Sequence, residues 1–406
     1  MPRTGWVKPE TDQRLSDHIS LGVLTRVFPP DLVDLVVTDS GRTEVRHRLL
    51  PARVVVYYVL ALALFSQASY EEVMRNLVEG LSWSTGWARS WRMPTKVALS
   101  KARTRLGPEP LQALFEAVAA PLATPTTKGA FYRGWRLVAI DGTCVDLADT
   151  PENDAAFGRP GTGRGQGVGA FPQVRMVGVA ECGTHALVDV AVGPCHQAEK
   201  TLATRVLRAL HPGMLLAADR GFFSFELWQK AAQTGADLLW RAKSNQDLAV
   251  EEVLEDGSYL SRVYEIVNFK RRGKGVPVRV IVYTIDDPGR PQAQAQYRLL
   301  TTILDPQAAP AAELASLYDQ RWEFESMLDE LKTHQRGARV VLRSKLPKGV
   351  LQELYGMLCV HYAIRWLMHT VALDVEADPD RLSFISTLRV ARRTTASHPG
   401  FSPSDS

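Results

Sequence analysis

Between Leu314 and His334 the chain reads LASLYDQRWEFESMLDELKTH. Four of its side chains, Tyr318, Arg321, Glu325 and Lys332, fall within an arc of about 60° when the segment is wound as an α-helix. That face offers one carboxylate, two cations and a phenol, all aimed one way, with Trp322 and Asp329 at its border. Beside it Leu317, Phe324, Met327, Leu328 and Leu331 fill an arc of roughly 100°, the stripe a helix lays on a core. An ordinary i,i+4 ion pair on a solvated helix accounts for Arg321 and Glu325 taken alone, so the rest of the chain has to decide.

Two further acids stand where apolar strands emerge. RLVAI (136–140) runs directly into Asp141, and MLLAA (214–218) runs directly into Asp219. Ligating residues gather at such strand ends in α/β sheets. Carboxylates suit hard divalent cations, and two such ions can activate a nucleophile on one side of a phosphodiester while stabilising the leaving oxygen on the other. Asp141, Asp219 and Glu325 would supply ligands from rigid elements. Position alone does not select them. Asp146 and Asp149 lie close to Asp141, Asp329 follows Glu325 by one turn, and an Asp after a strand is more often a turn former than a ligand.

The elements that would position these acids follow from periodicity. Residues 1–130 read as mostly helical, with helices expected over 18–37, 50–65, 70–81 and 110–120. The segment PTKVALSKARTRLG (94–107) carries Lys96, Lys101, Arg103 and Arg105, which suggests DNA binding; a helical packing domain is the alternative. From 131 to 246 the order is three strands, helix, strand, helix, strand. Strand-like pieces at 260–269, 276–285 and 297–303 make 247–308 a β-rich insertion. Residues 309–348 carry the Glu helix, and 349–406 are helical to Val371 with a disordered last dozen. The glycine-rich tract 158–169 contains no GxxxxGK[ST] and reads as a mobile loop, not a nucleotide cradle.

Composition sets the outer bounds. At 406 residues, 45% hydrophobic and 23% charged, the chain is globular and long enough for two or three domains. Its net charge is +4, but FKRRGKGVPVR (269–279) and the cations between Arg336 and Lys348 contain no acid, a pattern suited to phosphates. The four cysteines form no CxxC or Cys/His cluster, which argues against structural zinc and fits a reducing cytoplasm. No signal peptide is recognised, and the longest apolar run, 54–65, is too short to span a bilayer.

The spacing Y-x2-R-x3-E-x6-K at Tyr318, Arg321, Glu325 and Lys332 resembles the signature of the DDE insertion-sequence transposases that excise through a hairpin. The resemblance extends to the segment around Asp141 with DTPEN at 149–153, to DRGF at 219–222 and to RLG at 105–107, and covers roughly residues 15–370. It implies an α/β, RNase H-like catalytic domain with a β-rich insertion behind an all-helical N-terminal domain. It assigns Asp141, Asp219 and Glu325 as metal ligands for Mg²⁺, with Mn²⁺ as a substitute and two ions in the site. Tyr318, Arg321 and Lys332 match positions that hold transposon-end DNA, and Trp322 could stack on an unpaired base. The implied activity is cut-and-paste transposition by a homodimer on terminal inverted repeats and target DNA, at the bacterial nucleoid, with no membrane partner. An inactive transposase-derived DNA-binding protein and a nuclease that cuts without joining are the alternatives.

Overall fold

The computed structural model describes residues 22–44, 49–85, 93–161, 169–267, 270–284, 296–318, 321–337 and 340–397. Most of the glycine-rich tract and of the last dozen residues, expected from sequence to lack structure, lie outside these. By internal contacts the chain divides into a helical unit, residues 1–118 with 351–363 and 386–406, and a sheet unit, residues 119–350 with 364–385.

In the helical unit six helices follow in sequence: α1 (Val23–Val27), α2 (Pro30–Asp39), α3 (Ala52–Leu64), α4 (Tyr70–Thr85), α5 (Lys96–Leu106) and α6 (Glu109–Val118). α3 is the centre. Ten of its residues are buried, so burial on all sides overrides the weak helix propensity of its valines. Its two buried phenols are satisfied by donating to the carbonyls of Phe28 (Tyr57) and Tyr70 (Tyr58). α5 starts on Thr95, whose side chain accepts from the Ala98 amide, and stops at Gly107 with φ 73°, a conformation that glycine adopts without strain. Two of the cations expected to face DNA are used internally here. Arg103 is buried against Gln352, Glu353 and Tyr70, and Arg105 holds Glu44 and the Leu50 carbonyl.

Residues 119–130, read from sequence as the end of the helical region, pack instead in the sheet unit. The Leu122 and Ala123 amides donate to the buried Glu181 carboxylate, which also pairs with Arg136. The elements are β1 (Phe131–Tyr132), β2 (Trp135–Asp146), α7 (Pro151–Phe157), β3 (Gln173–Glu181), β4 (Leu187–Pro194), α8 (Glu199–Val206), β5 (Met214–Ala218), α9 (Phe225–Gln233), β6 (Asp237–Arg241), β7 (Glu252–Val253), β8 (Tyr259–Val267), β9 (Lys270–Thr284) and β10 (Gln296–Thr301). Among the described residues they form one sheet in the order β4-β3-β2-β5-β6-β10-β9-β8-β7, with β1 paired to β2. β2, β5 and β6 are parallel neighbours, and the other pairs are antiparallel. Three antiparallel strands, then parallel strands separated by helices, is the RNase H-like arrangement. The insertion strands continue the same sheet through the β6–β10 pair. Arg279, fully buried, anchors them by holding Asp256, Ser258 and the Ala309 carbonyl.

Alternation along the strands decides which face holds what. Val138, Ile140, Leu216, Ala218, Leu238 and Trp240 pack with α8 and α9 residues, Trp228 among them, in one core. The alternate residues face the opposite side, where Leu137, Leu215, Ala217 and Leu239 meet Leu317 and Arg321.

Of the segment expected as one helix from Leu314 to His334, the described residues form α10 (Ala311–Tyr318), α11 (Trp322–Asp329) and a π-helical turn, Glu330–Gln335, with residues 319 and 320 outside the description. π-Helical turns inside helices often stand at functional sites. After it come α12 (Pro347–Asp374), a short turn at Pro379–Arg381, and α13 (Phe384–Ser397), a helix the sequence reading did not anticipate. No described helix is long and apolar enough to cross a membrane.

Candidate active site

Asp141 does not end its strand, as the apolar run suggested. β2 continues five residues further and stays paired with β3 as far as Asp146↔Gln173. What ends is the parallel ladder: β2 and β5 are paired through Ile140↔Ala218, Asp141 is the next residue of β2, and Asp219 directly follows the end of β5. Both acids therefore stand side by side where two central strands part. By the same alternation Asp141 faces the side on which α10 and α11 pack.

Arg321 enters from that side. Its guanidinium lies 3.5 Å from Asp141 Oδ2 and 3.2 Å from Glu325 Oε1. Burial works against its charge, but neighbouring Tyr318, Asp219, Asp141 and Glu325 outweigh burial and raise its pKa. One cation thus stands in the field of all three acids. Burial pushes the Asp141 carboxyl above its ordinary range, with Glu325 and Glu199 adding to the rise; the Gly142 amide and Arg321 pull it back. Glu325 is 43% exposed, and a cavity of about 470 Å³ opens beside it, lined also by Asp329, His334 and Phe384. The three carboxylates are not drawn into one ligand cluster here. Among the described residues the only His/Cys/acid trio whose ligating atoms lie within 4.8 Å of one another is His185, Glu323 and Asp380.

The expected DNA contacts divide. Tyr318 is 4% exposed, and its hydroxyl donates to the Ala218 carbonyl beside Asp219; burial raises its pKa, so the phenol stays protonated. Arg321 is likewise buried. Lys332 is half-buried, its Nζ donating to Thr143 Oγ1 at 2.7 Å, two residues past Asp141 on the same face of β2. The backbone of Trp322 begins α11, while its side chain lies outside what the structure describes. The four residues of the signature thus come to one place, because each is tied to β2, to the end of β5, or to a neighbour so tied.

Two polar residues around the acids, and a half-buried lysine next to one of them in sequence, escaped the sequence reading. Glu199, first residue of α8, raises the Asp141 pKa, and its carboxylate fills the space a Cβ at Gly142 would need, 2.9 Å from that position. Arg241 closes β6 with Nη1 4.0 Å from Asp219 Oδ1, its guanidinium over the Tyr297 ring. Lys200 donates to the Phe223 carbonyl, with its pKa lowered by burial and by Lys243. Arg241 alone carried a signal, as a charged residue ending the strand next to β5. The DTPEN stretch, by contrast, is scaffold. Thr150 caps α7, Pro151 opens it, and buried Asn153 donates to the carbonyls of Ala148 and Ser344.

Chemically, the site is three hard-oxygen donors, two fixed by neighbouring strands and one on a helix, with a guanidinium already balancing their charge. Such a set fits a divalent cation that prefers oxygen. Residues 133–362 match the transposase DDE domain family, and residues 18–116 match the N-terminal domain of insertion element 4 transposases. The chain is 30% identical over 379 residues to the transposase InsG for insertion sequence element IS4 of Escherichia coli (strain K12), covering 92% of this chain and 83% of that one. It is 25% identical over 251 residues to a putative transposase InsZ of the same organism, covering 62% and 80%. A piggyBac transposase synaptic complex with hairpin DNA superposes with a TM-score of 0.49 at 13% identity, covering 92% and 79%. With both domains matched in order around this set of acids, the chain belongs to the IS4 family of DDE transposases, metal-dependent enzymes of DNA cleavage and strand transfer.

Proposed function

We propose that Asp141, Asp219 and Glu325 hold two Mg²⁺ ions, replaceable by Mn²⁺, and that the enzyme excises its element through a hairpin before joining the ends to target DNA. The observation that carries this reading is that Arg321 pairs with Asp141 and Glu325 and stands in the field of Asp219, with the two aspartates at the point where the β2–β5 ladder opens. When bound, divalent ions would activate the attacking water or 3′-hydroxyl and stabilise the leaving oxygen.

The chain's own residues orient the reactants. Arg321, planar and permanently charged, suits bidentate contact with a phosphate and can pass from carboxylate to phosphate as DNA enters. Lys332 adds a cation beside Thr143. Trp322 would stack on a base displaced at the hairpin end. Tyr318 holds the Asp219 end of β5 through the Ala218 carbonyl, which positions an acid and leaves DNA contact to its neighbours. The same site would serve hydrolysis and strand transfer, with water or a sugar hydroxyl as the nucleophile.

The helical unit would bind the terminal inverted repeats, with exposed Lys96 and Lys101 of α5 as its phosphate contacts. Two copies would pair the two ends as a homodimer, at the nucleoid in the bacterial cytoplasm. The test is cleavage and joining of inverted-repeat DNA with Mg²⁺, for wild type and Glu325→Ala. Hairpinned and joined ends should form with wild type, and the variant should lose roughly 10³-fold in rate. Joined ends without a hairpin intermediate would remove the hairpin route, and an active Glu325→Ala would remove Glu325 from the site.

A further inference from the structure

His185, Glu323 and Asp380 come from three separate parts of the sheet unit: the β3–β4 turn, the first turn of α11 and the Pro379–Arg381 turn. Their ligating atoms lie within 4.8 Å of one another. His185 Nε2 is 3.2 Å from Asp380 Oδ1 and 3.9 Å from Glu323 Oε2. Ligands about 2.0–2.2 Å from a zinc ion stand roughly 3–3.5 Å apart around it, so the trio needs little closing to form a cage.

The histidine is the second, independent sign. It is 6% exposed, and its Nε2, close to both carboxylates, lacks hydrogen-bond alignment with either and is left without a partner. A buried ring nitrogen in that state is costly. The backbone also bears a cost to place it: His185 sits at φ 54°, in the left-handed region that few residues other than glycine enter. Behind the ring, Nδ1 lies 3.4 Å from Glu330 Oε1, and Glu330 is held by Arg365 through both carboxylate oxygens. A carboxylate behind a histidine ligand fixes the tautomer that frees the other nitrogen's lone pair. Arg365 also abuts Nδ1. With a metal on Nε2 the neutral ring would keep its single proton on Nδ1, which would donate to Glu330 in place of the Arg365 contact. Asp380, 32% exposed, gives an entry path from solvent.

We propose that His185, Glu323 and Asp380 form a second divalent-cation site, favouring Zn²⁺ over Mg²⁺ through its imidazole nitrogen, which clamps the start of α11 to the β3–β4 turn. Gly183 already donates its amide to Glu323, so the clamp adds to an existing contact. Glu325, two residues further along α11, inherits its position from that anchorage. The site uses none of the three catalytic acids and stands whether or not those hold metal.

The experiment uses the full chain with Asp141→Ala, Asp219→Ala and Glu325→Ala combined, so that the catalytic acids cannot contribute. Zn²⁺ binding is measured by equilibrium dialysis, and Co²⁺ is titrated in parallel for its visible absorption bands. One Zn²⁺ per chain is expected, with no displacement by equimolar Mg²⁺. Adding His185→Gln or Asp380→Asn should weaken binding by about 10–100-fold or more and remove the Co²⁺ bands. Thermal melts keep the test sound if His185→Gln folds poorly: Zn²⁺ should raise Tm in the triple variant and not after Asp380→Asn, whose surface position spares the core. No bound Zn²⁺, binding unchanged by either substitution, or displacement by equimolar Mg²⁺ would each overturn the site and leave an ordinary ion-pair network.

Discussion

Glu325 is well exposed and reaches toward a buried arginine, whereas Glu323, two residues earlier on α11, is held under the turn at Gly183. The first looks onto the open ends of β2 and β5, the second onto the closed β3–β4 end of the sheet. Burial, with Asp380 nearby, raises the Glu323 pKa to about 8. The contrast teaches how one short helix can serve two tasks. Under the proposed assignment, the group that meets DNA keeps solvent access and a balancing cation, while the group that fixes the helix accepts burial.

The sharpest break in that contrast is on the buried side. Arg365, 2% exposed, is the cation that balances Glu330. Arg365→Met would strand a buried carboxylate and should cost about 3–5 kcal/mol of stability, read as a lower urea midpoint with the three catalytic acids untouched. On the open side Arg321→Gln should leave the fold in place but lower cleavage by roughly 10²-fold. It should also move the acid limb of the pH–rate profile upward, because Arg321, after the Gly142 amide, holds back the rise that burial imposes on the Asp141 pKa. An unshifted limb would detach Arg321 from Asp141.

Asp141→Asn sharpens the comparison through stability. The Asp141 pKa is raised in the folded chain, so its stabilising part exists below the ordinary carboxylate range and is lost as pH rises through the folded value. At pH 7 the ionised carboxylate costs stability. The variant, inactive, should gain roughly 0.5–2 kcal/mol at pH 7 and clearly less at pH 4; an equal gain at both would assign the effect to packing. The smallest effect is at Lys332. Lys332→Ala should reduce the slope of log K against log salt for end binding by about 0.9, and an unchanged slope would mean that Lys332 touches no phosphate.

Much of the sheet's centre was legible because its signals are local. RLVAI and MLLAA are short apolar runs closed by aspartate, and two helices with ordinary amphipathic spacing separate the parallel strands. The Y-x2-R-x3-E-x6-K spacing is likewise a pattern within one segment. What escaped depends on partners far along the chain. β2 runs on through Gly142 to Asp146 because β3 pairs with it there. Glu199 reads as an ordinary first residue of a helix until the fold sets it against Gly142. His185, Glu323 and Asp380 carry no spacing that could announce them.

The contacts that complete the site also set when it can exist. Tyr318 meets Ala218 across 100 residues, and Lys332 meets Thr143 across 189. A chain emerging from the ribosome amino end first, at about 5–20 residues per second, exposes both aspartates roughly 5–20 s before Glu325 and Lys332 are made. Such long closures are slow even once the whole chain is free. Chains stopped short of Glu325 therefore carry two acids and no third, and under the proposed assignment the capacity to cut DNA arrives only once the helix with Glu325 has been made.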